Sequence, residues 1–168
     1  MRPFRPAKWL PGGHLPTLYG PLCRSAPALQ RRRERLILKD GDFLDLDWYG
    51  PAESSRPCVI LLHGLTGSSS SMYILGQQRA LADKGWQSVA VNWRGCSGEP
   101  NHVPRGYHSG ASDDLAEVVT HVHAMAAGRP LAAAGYSLGG NVLLKYLGER
   151  TSGSLLQAAV AVSVPFRL

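Results

Sequence analysis

Four short apolar runs punctuate the chain: CVILLHG (58–64), SVAVNWRG (88–95), LAAAGYS (131–137) and AAVAVSVPF (158–166). Near-continuous apolar runs of this length belong to strands buried on both faces of a parallel sheet. Between the first two, MYILGQQRALADKG puts Ile74, Leu75, Leu81 and Ala82 on one helical face and stops at Lys84-Gly85. Between the next two, SDDLAEVVTHVHAMAAGRP predicts a helix capped by Ser112, with Asp113 and Asp114 at its positive end. Its apolar stripe falls at 115, 118, 119, 122, 125 and 126, and Gly128 and Pro130 end it. Upstream, ERLILKDGDFLDLDWYG alternates apolar and polar residues on either side of Asp40-Gly41, the pattern of an antiparallel hairpin. A hairpin followed by alternating strands and helices specifies an α/β fold: a mostly parallel sheet with an N-terminal antiparallel hairpin.

At 168 residues and 44% apolar, the chain holds one hydrophobic core. Residues 1–33 are broken by Pro3, Pro6, Pro11, Pro16 and Pro21 and read as an irregular arm across the surface of a domain at 34–168. The same prolines exclude a signal-peptide core or a membrane helix of about 20 residues, so a cytoplasmic location is expected. Cys23, Cys58 and Cys96 are odd in number and far apart, which suggests neither a zinc site nor a disulfide framework. The net charge is +6, and half of the excess sits in RRRER (31–35). No aromatics interleave with that run, which reads as a solvated face. No nucleic-acid partner is expected, and peripheral contact with an anionic membrane surface stays open.

The stretch GYSLGG (135–140) sets Ser137 between small residues, directly after a predicted strand and before a predicted helix. Gly135, Ser137 and Gly139 match G-x-S-x-G, and Gly140 follows. A sharp strand-to-helix turn exposes such a serine, provided its neighbours are small enough for helix and strand to pass closely. The turn also offers the Leu138 amide and the positive helix end to an oxygen that becomes anionic as the hydroxyl attacks a carbonyl. A second donor is expected from the loop after the first parallel strand, HGLTGSSSS (63–71). Gly64 lets that loop approach the serine, Leu65 N–H is the candidate donor, and His63 is read as a brace rather than a base. His108 and Asp113 form an H-x-x-x-x-D spacing that is close to chance, and Cys96 is read as inert.

PGGHLPTLYG, HGLTGSSSSMY, NWRGCSGEPN, YHSGASDDL, GYSLGGNVLLKYL and AVAVSVPF occur in this order from about residue 8 onward. Together they resemble the YheT-like subfamily of α/β-hydrolases, whose eukaryotic relatives include membrane-associated lipases and medium-chain fatty-acid ethyl ester synthase/esterases. The resemblance implies an α/β-hydrolase fold, no organic cofactor, no metal, and a Ser-Asp-His triad acting on small-molecule acyl esters. Pro16 departs from the family's H-L-Q-T arm motif, which puts a polar role of that arm in doubt.

In this fold the serine's partners follow it in the order Asp or Glu, then His. From 138 to 168 the sequence holds no histidine and no aspartate, and Glu149 is the one acid. The six histidines, at 14, 63, 102, 108, 121 and 123, all precede Ser137. The expectation is the N-terminal half of a serine hydrolase, truncated after the sixth strand, with an acyl-enzyme at Ser137. The alternative is a non-catalytic truncated or binding protein with a hydrolase-like half-fold.

Overall fold

The computed structural model describes residues 7–9, 11–52, 55–150 and 153–166. Ten elements follow in order: α1 (His14–Cys23), β1 (Arg32–Ile37), β2 (Phe43–Tyr49), β3 (Cys58–Leu62), α2 (Met72–Ala82), β4 (Gln87–Asn92), α3 (Ser112–Met125), β5 (Leu131–Tyr136), α4 (Leu138–Arg150) and β6 (Ala158–Val162). The six strands form one sheet in the order β1-β2-β4-β3-β5-β6. β4, β3, β5 and β6 run parallel, while β1 and β2 are an antiparallel hairpin whose β2 also pairs antiparallel with β4.

The apolar runs fill both faces of this sheet, as their lack of alternation requires. Ile60, Leu62, Val89 and Val91 pack with Leu115, Val118, Val119 and Val122 of α3 and with Val142, Leu143 and Tyr146 of α4. Val59, Leu61 and Ala90 face the other way, onto Ile74 and Leu81 of α2. α4 also packs against β5 and β6. All five residues of β6 are exposed, so among the described residues it is the outer strand of the parallel side.

Several local expectations are corrected. The arm, expected to be irregular, contains a ten-residue helix, α1. Pro16 is compatible with α1 because it lies in the first turn, where the N–H groups have no intrahelical partner in any helix. Residues 1–6 and 10 of the arm lie outside the described residues. Ser112 is not the cap of α3: the helix is preceded by Ala111, and the Ser112 hydroxyl donates to Glu149 and accepts from Lys145. Met125 leaves the apolar stripe and is exposed, while Ala126 remains buried.

Arg32, Arg33 and Arg35 of RRRER are exposed, as expected of a solvated face, but their charges are paired. Antiparallel register sets Arg33 opposite Asp47 and Arg35 opposite Asp45. Each arginine forks onto its carboxylate with two hydrogen bonds of 2.8–2.9 Å. Arg35 also pairs with Glu99, and Arg32 with Glu34. The polar positions of β2 are therefore buried with their charges, in place of the half-wet alternation expected of that strand. A second cluster surrounds the buried Arg94, which binds Asp40, Asp42 and Asp114 and so ties the hairpin turn to α3. Burial alone would raise the Asp42 pKa. Hydrogen bonds from the Asn101 side chain, the His102 and Phe43 amides and Arg94 outweigh it and hold that pKa down to about 2.

Candidate active site

β5 ends at Tyr136, α4 begins at Leu138, and Ser137 is the whole of the turn between them. Ser137 has φ +50°, in the left-handed region that side chains with a Cβ rarely adopt. Its amide donates to Val162 O at 2.9 Å, and its carbonyl accepts from the amides of Gly140 and Asn141. The backbone is therefore fixed on both sides while the half-buried hydroxyl makes no hydrogen bond among the described residues. Strain of this kind costs on the order of 1–3 kcal/mol and is held by the packing around it.

The flanking glycines show what imposes the turn. A Cβ on Gly135 would stand 2.5 Å from Gly139 O, one on Gly139 would stand 2.5 Å from His63 O, and one on Gly140 would stand 2.6 Å from the Val164 side chain. Helix α4, strand β5 and the residue after β3 thus meet backbone to backbone. On the facing loop, a Cβ on Gly64 would lie 3.1 Å from Ser137 Cβ and 3.7 Å from Ser137 Oγ.

Two tyrosines shape that loop. Gly64 N–H donates to the Tyr73 hydroxyl at 3.0 Å, and Thr66 N–H donates to the Tyr107 hydroxyl at 2.8 Å. Leu65 N–H, between them, has no hydrogen-bond partner among the described residues, and Thr66 is itself left-handed at φ +58°. The amides of Leu138 and Gly139, at the start of α4, are likewise unbonded among the described residues, which leaves the positive end of the helix free.

His63 is fully buried between Trp93 and Tyr107. Trp93 N–H donates to its Nε2 at 3.3 Å, so its Nδ1 carries the proton that bonds Gly64 O at 2.7 Å. Burial lowers its pKa, which keeps the ring neutral. The loop beyond is anchored rather than bland: buried Ser69 donates its hydroxyl to Asp47 and its amide to Asn92, and Gln78 donates to Asp47 O. Burial would raise the Asp47 pKa, but Arg33, Ser69 and Asn92 together hold it down to about 2. Tyr73, Tyr107, Ser69, Asp47 and Asn92 were not singled out from the sequence. The alternating aspartates of DGDFLDLD were the one signal available.

The other titratable groups lie elsewhere. His108 Nδ1 accepts from Gly110 N–H, Asp113 pairs with Arg105, and His121 pairs with Glu34. His102 packs on Phe43, and His14 and His123 are exposed. Glu149 sits in the last turn of α4, about 16 Å along the axis from Leu138. Burial raises the Cys96 pKa, and its thiol contacts Arg94 O. Among the described residues there is no group of three or more His, Cys, Asp or Glu that could hold a metal ion. No helix among them is long and apolar enough to cross a membrane.

A mostly parallel sheet with helices on both faces, a left-handed serine at the carboxyl end of an interior strand and a glycine loop against it define the α/β-hydrolase class of fold. A family model described as alpha/beta hydrolase fold matches residues 57–167, and the chain belongs to that family as a YheT-like member. It is 40% identical to YheT of Escherichia coli (strain K12) over 98% of its own length and 49% of that protein. It is 39% identical to Phospholipase ABHD3 of Mus musculus, over 96% of this chain and 41% of that one. The chain thus spans less than half the length of these relatives. In structure it resembles the Pyrococcus furiosus esterase Pf2001, with a TM-score of 0.68, 20% identity, and coverage of 86% of this chain and 58% of that one.

Proposed function

We propose that the protein containing this chain is a serine hydrolase of carboxylic esters, with Ser137 as nucleophile. Ser137 Oγ attacks the ester carbonyl carbon while a histidine takes its proton. The Leu65 and Leu138 amides hold the oxyanion of the tetrahedral intermediate. Collapse breaks the ester C–O bond, and the alcohol leaves with the proton returned by the histidine. Water then repeats the sequence on the acyl-enzyme and releases the carboxylic acid. The observation that carries this reading is the left-handed Ser137 held with an unbonded hydroxyl against Gly64.

Supporting it, relatives of the chain are named Phospholipase ABHD3 and, in Saccharomyces cerevisiae, Monoacylglycerol lipase, the latter 30% identical over 70% of this chain and 26% of that protein. None of the six histidines of the chain bonds Ser137, and His63 is locked as a neutral brace. The base and its orienting carboxylate are therefore assigned to a part of the full-length protein outside residues 1–168.

The test is turnover of a medium-chain p-nitrophenyl ester by the full-length protein. Ser137→Ala is expected to lower it by roughly a million-fold, the scale of removing a triad nucleophile. Retention of most of the activity excludes Ser137. Absence of turnover in the unaltered protein on any ester supports a non-catalytic binding protein instead.

A further inference from the structure

Between α1 and α2 lies a cavity of about 700 Å³, open to solvent. Its walls are Gly20, Pro27, Met72, Tyr73 and Gly76, with Arg24 among the polar residues that line it. Sites that hold small organic ligands span roughly 300–1,000 Å³ and combine apolar walls with a few polar groups. Tyr73 belongs to this cavity and to the serine loop at once. Tyr73 lines the cavity, its ring lies 4.9 Å, centroid to centroid, from that of Tyr136, and its hydroxyl accepts the Gly64 amide at 3.0 Å. Gly64 in turn faces Ser137, since a Cβ added to it would lie 3.1 Å from Ser137 Cβ. This tyrosine therefore links the cavity wall to the loop that faces the serine.

We propose that this cavity receives the acyl chain of the ester, an inference that rests on Ser137 being the nucleophile. The walls suit an alkyl chain. Gly20 and Gly76 leave them bare, since a Cβ added at either would meet no atom within 4 Å. A second hollow of similar size, about 720 Å³, does not suit it: Lys39, Asp40, Arg94, Arg105, Asp113 and Glu117 line it. That hollow is also on the α3 side of the sheet, opposite α2. Each methylene withdrawn from water into the α1–α2 cavity improves binding by roughly fourfold, so chain-length preference reads out occupancy directly.

The experiment compares p-nitrophenyl acetate, butyrate and octanoate on the full-length protein, with Gly76→Phe and Gly20→Leu filling the cavity from α2 and from α1. Both variants are expected to keep acetate turnover within about twofold and to lose octanoate kcat/KM by about tenfold or more, with thermal melts near that of the parent. An unchanged chain-length profile in a folded variant overturns the proposal, and so does equal loss on acetate and octanoate. Loss of folding in one variant leaves the other to decide, since the two sit on different helices. If Ser137→Ala leaves turnover intact, the functional reading fails. If Ser137 is essential and the profile still does not move, only the acyl site fails.

Discussion

Gly139, in the first turn of α4, lies against the backbone of His63 so closely that a Cβ would stand 2.5 Å from its carbonyl oxygen and 2.6 Å from that of Leu62. Neither neighbour is a flexible side chain, so nothing there can yield cheaply. Gly139→Ala is expected to cost at least the 1–3 kcal/mol typical of overpacking. Urea denaturation of the full-length protein measures it, and a loss below about 0.5 kcal/mol contradicts the packing described.

Ser137 carries its left-handed φ with a Cβ in place. Ser137→Gly should relieve that strain and raise stability by about 1 kcal/mol relative to Ser137→Ala, although both lack the hydroxyl and both should be inactive. Paired thermal melts of the two variants decide it. Equal melting temperatures argue that the turn is not strained.

The Gly64 loop is expected to set the catalytic rate rather than the stability of the fold. Gly64→Val would force its Cβ toward Ser137 Cβ and Tyr136 O, at 3.1 and 3.3 Å, and displace the Leu65 amide. Losing one oxyanion donor costs about 2.7–4 kcal/mol, so kcat should fall by 10²–10³. An unchanged kcat with a normal melt rejects Leu65 as a donor.

Acid should unfold this protein through the carboxylates of its β1–β2 hairpin. Asp42 and Asp47 are held at about 2, below the ordinary aspartate value of about 3.9. A depressed folded-state pKa stabilises above the unfolded value, and that contribution disappears as pH falls from about 4 toward 2. Urea midpoints should therefore be flat above about pH 5 and drop steeply below pH 4. Asn101→Leu removes the side-chain amide bonded to Asp42 at 2.7 Å and should lower the midpoint above about pH 5 and make the drop smaller.

The 168 residues expressed alone should self-associate. Val160 is 58% exposed and Val162 37% on a β6 edge that carries no charge, and such edges pair with other chains. Size-exclusion chromatography should show oligomers that Val160→Lys reduces. A monodisperse monomer would contradict this.

The strands and the two main helices were legible because continuous apolar runs and a 3.6-residue stripe leave little choice of element. The serine turn was legible for the same local reason, since only small residues fit around Ser137. What escaped was non-local. Nothing in RRRER shows that Arg33 meets Asp47 or that Arg35 meets Asp45, because the pairing depends on hairpin register. Tyr73 and Tyr107 read as ordinary aromatics until the fold brings their hydroxyls to Gly64 and Thr66. α1 was hidden by its prolines, whose count suggested a broken chain while the position of Pro16 permitted a helix.

Strand order imposes a timetable on synthesis. β3 leaves the ribosome before β4 yet lies beyond it in the sheet, bonded on one side to β4 and on the other to β5. The hairpin cannot shelter it, because β2 pairs with β4. The run CVILL therefore has no strand partner until Asn92 has been made, thirty residues after Leu62. At about 5–20 residues per second this takes roughly 2–6 s, ample time for a chaperone to bind the nascent chain or for two neighbouring chains on one message to find each other.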